Sequence, residues 1–95
     1  MNQTKLFQDF AFSMRCESAS TIVFVACPKG GRYGDVRKTL AGLLQRPFNS
    51  IHIAPPDSNA PVPFDDDRVV ESPGNEVILP ARILKATEQG DWVFE

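Results

Sequence analysis

Apolar and polar positions alternate in the first third of the chain. Phe10, Phe12, Met14 and Cys16 interleave with Ala11, Ser13 and Arg15, the period of two that marks a strand with one buried face. Leu6, Phe7 and Phe10 fit the opening of a short helix equally well, which leaves the start of that strand open. Glu17-Ser18-Ala19-Ser20 is a small polar turn. From Thr21 to Cys27 the chain is β-branched and apolar on both faces, which predicts a central strand or one lying under a helix. Pro28 has no N–H to donate and ends that strand. The two strands form a hairpin turning near residues 17–20.

Lys29-Gly30-Gly31-Arg32 then leads into a helix. Tyr33, Val36, Leu40, Leu43 and Leu44 recur at the spacing of one helical face. Asp35 suits the positive end of that helix and Arg46 the negative end, and Pro47 stops it. Gly42 inside the helix points to close packing there. Ser50–Ala54 reads as a short strand with Ile51 and Ile53 inward and His52 outward. Residues 55–76 hold five of the eight prolines together with Asp57, Asp65, Asp66 and Asp67, and predict a long Pro/Asp-rich loop. Val77–Leu79 and Ala81–Lys85 form an extended stretch broken by Pro80, which suggests an edge or a bulge. After a turn at Glu88–Asp91, Trp92-Val93-Phe94 is a last strand. The expected core, under the helix, is Ile22, Phe24, Leu40, Leu44, Ile51, Ile53 and Phe94.

Ninety-five residues, 42% of them hydrophobic and 23% charged, are expected to make one globular domain spanning 1–95. No apolar run approaches the roughly 20 residues of a membrane span. The opening segment, with Lys5 and an interrupting Asp9, does not read as a secretory signal, so a cytoplasmic location is expected. Cys16 faces the start of the second hairpin arm and Cys27 lies near its far end, which predicts two free, buried thiols and no disulfide.

The order hairpin, helix, strand, extended segment, final strand resembles the ubiquitin-like β-grasp superfamily, in which a hairpin leads into a helix packed across a mixed sheet. Phe10–Cys27, the helix opening Tyr33–Leu40, Ile51–Ile53 and Trp92–Phe94 carry the resemblance. It implies an α+β fold, with one helix across a mixed sheet of four to five strands, and a protein-interaction role. Residues 55–76 are longer and richer in proline than the equivalent loop usually is. The ending Val93-Phe94-Glu95 lacks the Gly-Gly tail of a conjugated modifier.

Charge is distributed unevenly. Lys29, Arg32, Arg37, Lys38 and Arg46 are half of the basic residues and share their stretch with one acid, Asp35. From Asp57 onward nine acidic residues meet three basic ones. Such bipolarity on a β-grasp pattern also resembles PB1 domains, which assemble head to tail by basic-to-acidic pairing, with Phe64-Asp65-Asp66-Asp67-Arg68 as a loose match to their acidic motif.

No catalytic constellation accompanies these elements. The Gly-rich turn at 28–34 lacks the Gly-Lys-Ser/Thr ending of a P-loop. The aspartates at 65–67 lack the ligand spacing of an EF-hand, and two Cys with one His are too few for a tetrahedral zinc site. A cysteine with His52 has no third group or oxyanion hole. Nucleic-acid binding needs a dominant positive field, and the net charge is −2. The chain is therefore expected to be a non-catalytic interaction module with no cofactor or metal, the N-terminal domain of a larger scaffold or adaptor. Its expected partner is another protein, through an acidic segment, with no nucleic acid and no membrane involved. The partner would dock on solvent-facing Lys29, Arg32, Arg37 and Lys38 beside Tyr33, with Asp65, Asp66 and Asp67 as an acidic interface. The alternatives are PB1-like homo-oligomerisation and, behind it, a small enzyme or ligand carrier.

Overall fold

In the computed structural model the described residues are 10–71 and 77–95. Leu6 and Phe7, which fit a short helix, lie outside them, as do residues 72–76 of the loop. The elements run β1 (Phe10–Glu17), β2 (Ile22–Pro28), α1 (Tyr33–Leu43), a single 3₁₀ turn (Phe48–Ser50), β3 (Ile51–Ala54), β4 (Ile78–Ala86) and β5 (Trp92–Phe94). They form a mixed α+β structure, with one helix packed across a five-stranded sheet. The strand order is β2-β1-β4-β3. β1 runs parallel to β4, and the other pairs are antiparallel. β4 is long enough to hold β1 along its first half (Ile78–Arg82) and β5 at its end (Leu84–Ala86).

The hairpin register pairs Met14 with Val25 and Cys16 with Val23. Across β1 it continues to Leu79 and Ala81. These residues, with Cys27, Ile51, Ile53 and Ile83, form the core, which Val36, Leu40 and Ala41 of α1 cover. The opposite set, Ile22 and Phe24, is therefore turned out, 50% and 55% exposed. That corrects the expected core. The run from Ile22 to Cys27 is apolar at every position, so its own pattern cannot choose a face, and the parity of β1 chooses it. Leu40, Ile51 and Ile53 are buried as expected, whereas Leu44 is only partly buried. Phe94 is half-buried beneath the Arg82 guanidinium, 3.7 Å from its ring.

Pro80 lies within β4 at a stretch that β3 does not reach, so it stands at a local edge of the sheet, as expected, and not at a bulge. The Ser13 amide bonds the Val77 carbonyl, so odd-numbered residues of β4 aim their backbone at β1 and Pro80 aims away from it. β3 reaches only as far as Arg82. The missing N–H of Pro80 thus faces a stretch where no strand needs it.

At its C-terminus α1 closes in a Schellman motif, the Gln45 amide bonding Gly42 O and the Arg46 amide bonding Ala41 O. Gln45 takes the left-handed position, φ 54°. Leu43, off the buried face of the helix, is exposed, and a Cβ at Gly42 would meet nothing within 4 Å, so no close packing explains that glycine.

Candidate functional site

The loop after β3 folds back over the start of the helix. Phe64 N–H bonds the Ile53 carbonyl, and the Phe64 ring stacks on Tyr33 with centroids 3.9 Å apart. The first helical amides, Tyr33 and Gly34, donate to the carbonyls of Arg68 and Asp66, while the Asp35 carboxylate accepts from the Arg32 amide. The loop thus satisfies donors that a helix start leaves unpaired. Gly34 eases the approach, because a Cβ there would sit 3.0 Å from Asp66 O and push the loop back by a few tenths of an ångström.

This docking decides where the expected binding residues lie. Lys29 and Lys38 are exposed. Arg32 is exposed as well, but its guanidinium donates to the Asp67 carbonyl. Tyr33 is buried against Phe64. Arg37 is 7% exposed, which corrects its expected solvent-facing position. Its Nε donates to Ile51 O at 2.7 Å and one terminal nitrogen bonds Asp66 Oδ2 at 2.8 Å. The guanidinium lies 3.9 Å from the Phe48 ring centroid and 5.6 Å from that of Trp92. Asp65 and Asp67 are exposed, and Asp66 is half-buried. The basic and acidic segments therefore meet and partly neutralise each other.

His52 also departs from its expected outward position and is 5% exposed. Its Nδ1 accepts the Ile53 amide at 2.9 Å, its Nε2 lies 3.2 Å from Asp66 Oδ1, and its ring meets Trp92 edge-on at 5.4 Å. The Asp66–His52 contact falls outside hydrogen-bond geometry, which leaves Oδ1 buried and without another partner. Burial, reinforced by the Arg37 charge and opposed by Asp66, pushes the His52 pKa down to about 4. No motif reveals this cluster, since its members are far apart in sequence.

Both thiols are free and buried. Desolvation raises Cys16 to about 12 and also raises Cys27, with Asp35 adding to the latter. Neither is an activated nucleophile. Among the described residues no three His, Cys, Asp or Glu side chains are grouped to hold a metal ion, and no helix is long and apolar enough to cross a membrane.

The outer face of the sheet has a different character. By register, Ser13, Arg15 and Glu17 of β1 form a polar stripe, flanked by Ala26, Phe24 and Ile22 on β2 and by Ile78 and Pro80 on β4. Arg15 and Glu17 pair at 3.2 Å, and Ile78 is 50% exposed. Where β1 gives way to β5, a shallow groove of about 420 Å³ opens between Arg15, Glu17, Ala19, Pro80, Arg82 and Glu95. Its charges are engaged, Arg15 with Glu17, Arg82 over Phe94 and Glu95 with Arg46. The sequence signal for this face was the uninterrupted apolar run of β2, read toward the wrong side.

The chain matches no protein-family model, and comparison with curated proteins finds no similar sequence.

Proposed function

We propose that this chain is a non-catalytic protein-interaction domain of ubiquitin-like β-grasp type, docking through the outer face of β2, β1 and β4. The hairpin–helix order and the mixed sheet under one helix are compatible with that fold. The observation that carries the functional reading is the exposure of Ile22, Phe24 and Ile78 around the Arg15–Glu17 pair. An aromatic and aliphatic rim with an arginine at its centre suits a protein partner, and the exposed apolar run of Ile22, Phe24 and Ala26 along β2 is surface of the kind that marks contact sites. The basic helix end supports the reading less well, because Arg37 and Tyr33 are buried and Arg32 is held by the acidic loop. Head-to-tail assembly would need separated charges, and Arg37 and Asp66 are instead 2.8 Å apart.

Selection of displayed peptides against the wild-type domain tests the choice of surface. Binders are expected to lose affinity for Phe24→Asp or Ile78→Asp and to keep it for Lys29→Glu/Lys38→Glu. The opposite pattern would return the site to the basic end.

A further inference from the structure

The backbone of β2 has one side committed and one side free. The Ser13 amide reaches Val77 O, just before β4, so Phe12, Met14 and Cys16 direct their backbone groups at β2. Their partners Cys27, Val25 and Val23 are the residues that return those bonds. Ile22, Phe24 and Ala26 therefore aim their N–H and C=O groups at the outer edge, where no strand pairs with them among the described residues. Folded proteins protect such an edge with charges, prolines, bulges or a covering segment. Residues 18–28 contain no charged side chain at all, and Pro28 stands only at the far end.

We propose that this edge pairs antiparallel with β2 of a second copy, about a two-fold axis centred on Phe24. The inference rests on the outer face being the docking surface and names its partner. The register follows from the free groups. Centring on Phe24 sets Phe24 against its own equivalent and Ile22 against Ala26, so every outward donor and acceptor of these three residues finds a partner. Shifting the centre to Val25 would set Ile22 against Pro28, which has no N–H, and would leave groups unpaired. The centred register also opposes no like charges. Lys29 falls opposite Ala19, and the two copies of Lys29 lie at opposite ends of the paired strands. The two sheets become one, and the phenylalanines meet on the outer face as a cross-strand aromatic pair, a favourable combination. A single strand pair buries less than a standard interface, so the dimer is weak, with a dissociation constant on the order of 10–100 μM.

Sedimentation equilibrium of the whole chain tests this. The wild type is expected to dimerise reversibly in that range. Ala26→Pro removes an N–H that no strand among the described residues pairs with, so its melting curve should stay close to wild type while dimerisation weakens at least about tenfold. A second test does not depend on proline. Phe24→Lys and Phe24→Glu should each be monomeric, and mixing them should restore a heterodimer, because the axis sets the two new charges face to face. A wild type that stays monomeric at about 1 mM would overturn the second copy as occupant. In that case, displayed-peptide binding that still depends on Phe24 would leave the docking face standing for an extended segment of another protein. Dimerisation unaltered by Ala26→Pro, or a mixture that forms no heterodimer, would overturn edge pairing centred on Phe24.

Discussion

Arg37 and His52 show how single residues hold this structure. Arg37 ties α1 to the start of β3 through Ile51 O and to the loop through Asp66, with the rings of Phe48 and Trp92 beside its charge. Truncating it leaves the Asp66 carboxylate and the Ile51 carbonyl without their partner. Asp66 is half-exposed, which moderates the loss, so Arg37→Ala is expected to cost roughly 2–3 kcal/mol in denaturant unfolding. His52 makes the fold sensitive to acid. Its folded pKa of about 4 lies below the ordinary 6.5, so the neutral ring is the form that the folded state favours. The associated stability is fully present above pH 6.5 and is lost as the pH falls through 4. Arg37 and Asp66 are the charged groups that face the ring. Urea midpoints followed from about pH 7 to about pH 4 should therefore fall more steeply in the wild type than in His52→Gln. Parallel curves would remove His52 from the acid response. Neither burial was legible in the sequence. A lone His between two isoleucines reads as the outward member of a strand, and an Arg on a helix reads as solvated. The carboxylate that pairs with Arg37 and lies beside the His52 ring, Asp66, comes from a loop 29 residues beyond Arg37.

At the scale of elements, the pattern of the chain carried further. The hairpin, the helix opening at Tyr33, the strand around Ile51–Ile53 and the last strand at Trp92–Phe94 all follow from local periodicity and turn chemistry, and all occur. What local pattern could not supply was the side on which a uniformly apolar strand is buried, or the neighbours of a proline. β2 takes its parity from Met14 and Cys16, and Pro80 is accommodated because β3 ends at Ala54 opposite Arg82. The end of the helix was readable only in part. Pro47 announces a stop, but Leu43 lies off the buried helix face and the Schellman turn places a non-glycine, Gln45, at φ 54°. A side chain in that conformation is disfavoured relative to glycine, so Gln45→Gly should raise stability by roughly 0.5–1 kcal/mol. Thermal melts of the two proteins check it, and a lower melting temperature for the glycine variant would contradict this account of the helix end.

For the whole molecule, folding rearranges what looked bipolar in the sequence. The basic stretch and the acidic loop are distant along the chain but adjacent in space, joined by Arg32 to Asp67 and Arg37 to Asp66. Among the described residues the β2 side of the sheet keeps exposed apolar surface together with an unpaired strand edge. The molecule should therefore associate through a face with little charge, and added salt should not dissociate it. The most direct measurement is a concentration series of amide NMR spectra at low and high salt. Shifts are expected to grow with concentration at Ile22, Phe24 and Ala26, to extend to Ser13 and Arg15 beside them, and to stay flat at Lys38, with the same profile at both salts. Spectra independent of concentration, or salt-sensitive shifts centred on Lys29, Arg32 and Lys38, would contradict the account.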